Sequence, residues 1–248
     1  MIDNKNIFLK KKILIYGLGK SGISSYKFLK NKAKVYLFDD DPKKKFKHQT
    51  KQWISDISKI SKNKFDIIII SPGIDILNCK LSKFLKKNKS KIFTDLDVFY
   101  SFNKNKSITI TGTNGKSTTA KILHDILLDQ NYDCRLIGNI GNPALSEKKI
   151  TKNTVFVIEA SSYQLDYSQL FTSKYSVILN ISSDHIERHR NLKNYINAKF
   201  KLLNSQSRDS MAFVKKNDLL INRKLKSKKY YPKIIRVDLK KANKIIKQ

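Results

Sequence analysis

The chain has 248 residues, 40% of them hydrophobic, enough for two cores when domains commonly run to about 100–150 residues. Its 51 Lys and Arg against 20 Asp and Glu give a formal net charge of +31, nearly all of it Lys spread from end to end. Arg, whose planar fork reads bases and phosphates, occurs only at Arg135, Arg188, Arg190, Arg208, Arg223 and Arg236, so no specific nucleic-acid surface is expected.

No apolar run approaches the roughly 20 residues that span a bilayer, and Cys79 and Cys134 make no disulfide framework. The first twelve residues lack the apolar core and cleavage site of an export signal, so a reduced, cytoplasmic protein without membrane contact is expected. In chain order, residues 12–16 read as a buried strand and residues 17–22 as a glycine turn. Residues 21–31 follow as a helix with Ile23, Tyr26 and Leu29 to one side, and residues 34–38 as the next strand, completing a βαβ unit. A further buried strand is expected at 65–71, where four isoleucines stop at the breaker pair Pro72 and Gly73, and a short strand at 91–93 follows a lysine-rich helix. Beyond the polar stretch 102–106, residues 107–111 read as a strand running through a glycine turn into a helix over 117–130. Later strands are expected at 154–158 and 175–180, each ending where polar residues gather. The lysine-rich residues 240–248 carry no stop signal of a finished domain.

Strands alternating with helices imply parallel sheets and an α/β fold class. The expected arrangement is a Rossmann-like domain over residues 1–100, then a P-loop-type mononucleotide-binding α/β domain over 101–248. Ligands of such sheets sit outside the carboxyl ends of the strands, so function should cluster there.

Four clusters carry the chemistry. The first is Gly112-Thr113-Asn114-Gly115-Lys116-Ser117, between a strand and a helix. The glycines let backbone N–H groups approach phosphates, and the helix start adds partial positive charge. Lys116 would neutralise terminal oxygens, and Ser117 would offer a hydroxyl to Mg²⁺. In the general pattern G-x-x-x-x-G-K-[ST] the first glycine would fall at Ile110, so this is not an ordinary Walker loop. Gly17, Gly19 and Gly22 fit G-x-G-x-x-G, with Asp39 where a ribose-binding acid would sit. A ligand-free turn and a nicotinamide dinucleotide site both remain open there, although nothing between the two loops looks like a hydride-transfer site. Third, Glu159 emerges at the end of an apolar strand, well placed for a metal, with Ser161, Ser162 and Gln164 after it. Fourth, Asn180 to His185 repeats the theme one strand later, and Tyr195 and Lys199 lie on the helix beyond. Taken alone, His185 reads as a surface or packing histidine and Lys199 as one solvated lysine among many.

Together, in this order and spacing, the clusters resemble the Mur ligase family. The loop from Thr111 to Ser117 is shared across that family and its folylpolyglutamate relatives. Ser71-Pro72-Gly73, Gly138-Asn139-Ile140-Gly141 and Glu159 to Leu165 resemble its D-glutamate-adding branch, and the resemblance covers essentially the whole chain. It implies an ATP-dependent amide ligase of peptidoglycan synthesis, a monomer acting on UDP-N-acetylmuramoyl-L-alanine, D-glutamate and ATP through an acyl phosphate. By the same resemblance, Gly112, Thr113, Asn114, Gly115, Lys116, Ser117 and Thr118 would hold ATP. Lys20, Ser21, Asp39, Asp40 and Gly73 would lie near uridine and diphosphate, although Asp40 and Asp41 stand where hydroxyl and basic residues are expected. Asn139, Ser161, Gln164 and His185 would line the muramoyl-alanine arm. Two Mg²⁺ ions are implied, one with Ser117 and Glu159, the other with His185 and a carbamylated Lys199. Lys116, His185 and Lys199 are thereby the catalytic candidates. The family has three domains, and the resemblance implies that this chain reaches only through part of the second, so it is expected to bind nucleotides without completing ligation. The competing readings are a non-catalytic UDP-sugar or nucleotide binder, an NAD-binding oxidoreductase and a lysine-driven nucleic-acid binder.

Overall fold

The computed structural model describes residues 6–44 and 52–238, so the expectations for residues 1–5 and 240–248 lie outside the described residues. The chain divides into two compact units. The first is discontinuous, comprising Met1–Lys104, Pro143–Lys148 and Tyr167–Phe171; the second comprises Asn105–Asn142, Lys149–Asp166 and Thr172–Gln248.

In the first unit, apolar β-branched runs form β1 (Lys12–Tyr16), β2 (Lys34–Phe38), β3 (Ile67–Ile70) and β4 (Ile92–Phe93). The strands pair in parallel in the order β2-β1-β3-β4. Leu14, Tyr16, Ile68, Ile70, Leu85 and Ile92 fill one core of this sheet. The expected strands β1 and β2 have the observed bounds, whereas β3 is shorter than the expected 65–71 and β4 than 91–93. The first helix is Lys20–Leu29, beginning before Ser21 and ending before Asn31. It can start there because a Cβ at Gly22 would lie 1.9 Å from the Gly17 carbonyl oxygen, so only glycine lets helix and strand approach this closely.

A second device in this unit is the capping box of helix Asp95–Phe102: Thr94 Oγ1 accepts from Asp97 N and Asp97 Oδ2 accepts from Thr94 N. The other oxygen of the same buried carboxylate, Asp97 Oδ1, accepts from Ser168 Oγ and from the backbone N–H groups of Gln169, Leu170 and Phe171. One charge thus fastens the returning segment Tyr167–Phe171 into the first unit.

The second unit holds β5 (Ser107–Thr111), β6 (Cys134–Gly138), β7 (Val155–Glu159), β8 (Tyr175–Ile178), β9 (Met211–Lys215) and β10 (Lys233–Val237). All are parallel, in the order β10-β9-β8-β5-β7-β6. β5 falls where expected, β7 sits one residue later and β8 stops before Asn180. β6, β9 and β10 are additions: β6 and β10 are sheet edges and β9 pairs with one of them, so none needs the unbroken apolar run that marks a central strand. After β5 the chain runs out to the β6 edge, returns through β7 and crosses to β8, leaving the carboxyl ends of β7 and β8 on either side of β5. In register, Ile110 lies opposite Glu159 and Thr111 opposite Ile178, so these ends are level and form a topological switch point. Among the described residues no helix is long and apolar enough to cross a membrane.

Candidate nucleotide and cation site

β5 delivers the chain into the glycine loop, and helix Lys116–Asp129 begins directly after it. Gly115 is the residue before the helix, with φ of +80°, a left-handed conformation open to glycine at little cost, and no side chain caps the helix start. Its first backbone N–H groups are therefore available to an anion, with the helix dipole behind them. The loop is braced from β8: Asn180 O accepts from Thr113 N, Asn180 Oδ1 accepts from Asn114 N, and Asn180 Nδ2 donates to Asn114 O. Thr113 Oγ1 also accepts from Ser182 N and lies 3.1 Å from Tyr195 OH. Ser117 and Thr118 are exposed at the helix start.

Lys116 folds over the loop, its ammonium donating to Gly112 O at 3.0 Å and Thr113 O at 2.8 Å. Lys199 reaches the same point from helix Leu192–Asn204, Nζ donating to Gly112 O at 2.8 Å and lying 4.5 Å from the Tyr195 ring centre. This helix buries Tyr195, Ala198 and Leu202, a core stripe at helical spacing, and Lys199 occupies a position inside that stripe with 1% exposure. Burial first, then the Lys116 charge beside it, push the Lys199 amine down to about 7. A substantial neutral fraction follows at neutral pH.

Glu159 ends β7 with no exposed surface. Asn139, in the loop after β6, donates from Nδ2 to Glu159 Oε1 at 2.7 Å and from its backbone N–H to Glu159 O at 2.9 Å. Among the described residues Oε2 has no hydrogen-bond partner, and neither has the buried Thr111 Oγ1 at the end of β5. An orphaned, buried carboxylate oxygen is costly unless something satisfies it, and a hard cation seeks such an oxygen. No group of three or more His, Cys, Asp or Glu gathers among the described residues. The donors therefore fit Mg²⁺, which keeps several waters and takes phosphate oxygens alongside one or two carboxylates, better than an all-protein metal cage.

His185 is half-exposed, with Nε2 3.4 Å from Asp184 Oδ2, and its ring meets those of Tyr163 and Tyr195. His185 and Lys199 thus both contact Tyr195. Ser161 and Gln164 bond to each other, Gln164 Oε1 accepting from Ser161 N and Oγ. Sequence reasoning did not single out His189. It is buried, bonded to Ser162 Oγ at 2.9 Å and stacked on Tyr163, and desolvation holds its ring below the usual histidine value. Its spacing of four from His185 was the available sign.

In the first unit, Asp39 accepts from Leu18 N at 2.6 Å and from Asp41 N at 2.9 Å, so its carboxylate holds the glycine turn. Asp40 accepts from Tyr16 OH. Lys20 is exposed and Ser21 half-exposed at the helix start, and a Cβ at Gly19 or Gly73 would meet nothing within 4 Å. Those two glycines leave open space that the fold does not require.

Profile comparison matches residues 11–92 to the Mur ligase MurD-like N-terminal domain and residues 110–248 to the Mur ligase middle domain. UDP-N-acetylmuramoylalanine–D-glutamate ligase of Rickettsia bellii (strain RML369-C) is 37% identical over 212 residues, covering 84% of this chain and 46% of that protein. The protein of the same name from Rickettsia prowazekii (strain Madrid E) is 39% identical over 213 residues, covering 84% and 47%. The chain spans about half the length of the curated relatives it matches. Among solved structures, UDP-N-acetylmuramate:L-alanyl-gamma-D-glutamyl-meso-diaminopimelate ligase from Neisseria meningitides shares the fold at a TM-score of 0.57 and 15% identity, over 91% of this chain and 77% of that one. With its middle-domain match spanning more than half of its length, the chain belongs to the Mur ligase family.

Proposed function

We propose that the chain is the nucleotide-binding part of an ATP-dependent, cytoplasmic ligase that adds D-glutamate to UDP-N-acetylmuramoyl-L-alanine. In the proposed reaction the alanine carboxylate attacks the γ-phosphorus of ATP, releasing ADP and giving an acyl phosphate. The amine of D-glutamate then displaces phosphate. Charge accumulates on phosphoryl oxygens in the first step, so positioning and electrostatic stabilisation carry the catalysis. The loop from Gly112 to Thr118 would hold the ATP phosphates, with Lys116 swinging from its own loop carbonyls onto the terminal oxygens. Ser117 and Glu159 would hold one Mg²⁺, and His185 with a carbamylated Lys199 a second; the ions supply charge neutralisation at the transferring group. Asn139, Ser161, Gln164 and His185 are proposed for the muramoyl-alanine arm, and Lys20, Ser21, Asp40 and Gly73 for the uridine diphosphate. Asp39 acts through the turn it braces.

One convergence carries this reading: an unpartnered, buried Glu159 oxygen at the end of β7, and a buried, readily neutralised Lys199 amine on the first glycine of the phosphate loop. Addition of a neutral amine to CO₂ with loss of a proton gives a carbamate, whose anionic oxygens suit Mg²⁺ where an ammonium repels it. The dinucleotide alternative loses support because the acid that would meet a ribose is already engaged by Leu18 and Asp41. Isothermal titration of UDP-N-acetylmuramoyl-L-alanine into the purified 248 residues, beside UDP, NAD⁺ and a short DNA duplex, tests the proposal. Selective binding of the muramoyl nucleotide is expected; clear NAD⁺ or DNA binding without it would overturn the reading.

A further inference from the structure

Asn139 stands in the resemblance as a contact to the muramoyl arm, but the structure points to a second role in the same site. Asn139 turns its amide nitrogen to Glu159, Nδ2 donating to Oε1 at 2.7 Å. Two bonds from one residue, side chain to Oε1 and backbone N–H to the Glu159 carbonyl, hold the carboxylate and its backbone together. Among the described residues Asn139 makes no other hydrogen bond, and of the two Glu159 carboxylate oxygens Oε2 is the one left without a partner.

We infer that Asn139 is the positioning residue of the Glu159 cation site: it holds Oε1 and thereby aims Oε2 as a single, monodentate ligand. The inference rests on the proposed Mg²⁺ site. Its reason is geometric. A carboxylate free at both oxygens can rotate and bind a cation through either or both, whereas Mg²⁺ demands near-octahedral placement and tolerates little misaim. Outer hydrogen bonds that orient a ligand are typically worth about 10–100-fold in metal affinity. The fixed amide orientation has a second consequence. Asn139 can offer only its carbonyl oxygen and its remaining N–H to a substrate, and the carbonyl oxygen selects an N–H or O–H donor of the ligand.

The test uses the 248-residue chain and Mn²⁺ as the probe, with free Mn²⁺ read by electron paramagnetic resonance in the presence of a saturating non-hydrolysable ATP analogue. Glu159→Gln, Asn139→Ala and Asn139→Gln are compared with the parent, and circular dichroism checks that each folds. A loss of about 10-fold or more in Mn²⁺ affinity is expected for Asn139→Ala, with part of it recovered in Asn139→Gln, which keeps an amide donor. Binding of the ATP analogue without metal should not change, a readout that general loosening of the loop would move. If Glu159→Gln weakens Mn²⁺ binding and Asn139→Ala does not, the positioning role is refuted while the cation site stands. If Glu159→Gln has no effect, the cation site itself is refuted and the inference falls with it. Should the Asn139→Ala chain fail to fold, the near-isosteric Asn139→Leu, which removes the amide donor but fills its space, decides instead: a loss of about 10-fold or more in Mn²⁺ affinity supports the positioning role, and parental affinity overturns it.

Discussion

Replacing Lys199 by Met should stabilise the second unit most near neutral pH and progressively less as the pH rises. The amine is 1% exposed and its proton affinity falls from 10.5 to about 7 in the folded chain, mainly through desolvation. Between those values the unfolded chain binds more protons at this position than the folded one, so wild-type stability rises with pH across that window and the contribution is flat below about 7. At about 1.4 kcal/mol per pH unit, the gap corresponds to about 5 kcal/mol of charge-burial cost. The Met variant loses the Nζ bond to Gly112 O, but that carbonyl keeps Lys116 Nζ at 3.0 Å, so little is orphaned. Other titrating groups are common to both chains, and the difference between them isolates Lys199. Urea unfolding in CO₂-free buffer at several values from pH 6 to 10 gives that difference. A variant advantage of several kcal/mol at pH 6 that shrinks towards pH 10 is expected; a constant difference refutes a buried, desolvated ammonium. In ¹³C-bicarbonate near pH 8, the wild type should show a carbamate carbon that Lys199→Met lacks.

Asp97→Ala should cost at least about 3 kcal/mol, because several buried donors, among them the backbone N–H groups of Gln169, Leu170 and Phe171, lose a charged acceptor. Amide exchange at those three residues should quicken in step with the loss in urea stability, and unchanged exchange would show that the segment is held by other contacts. Gly22→Ala should cost about 3 kcal/mol, since its Cβ would press on the Gly17 carbonyl, whereas Gly19→Ala should be close to neutral because nothing lies within 4 Å. Thermal unfolding of the pair checks this, and equal effects would disprove the close approach.

Much of the fold was legible because central parallel strands are buried on both faces and read as apolar runs. β1 and β3, the inner strands of the first sheet, are such runs, and the bounds of β1, β2 and β5 agree with the sequence reading. β10 is an edge strand with Lys233, Arg236 and Val237 exposed, so its sequence carries no comparable signal. The first unit's discontinuity was equally hidden. It depends on Asp97 meeting residues more than 70 positions away, which no local pattern records.

The candidate site divides in the same way. Sequence alone located the glycine loop between β5 and the helix after it, because glycine spacing between a strand and a helix is a local property. It also placed Glu159 at a strand end. It could not separate Lys199 from the many lysines of a chain with 51 basic residues, although a lysine inside the stripe of Tyr195, Ala198 and Leu202 was a sign. Only the tertiary structure decided that this lysine is buried on Gly112 O, that Asn139 faces Glu159, and that Asp39 braces a turn. Burial and the partner of a polar atom depend on residues distant in sequence, and those two quantities set the charge state and the free lone pairs on which the chemistry rests.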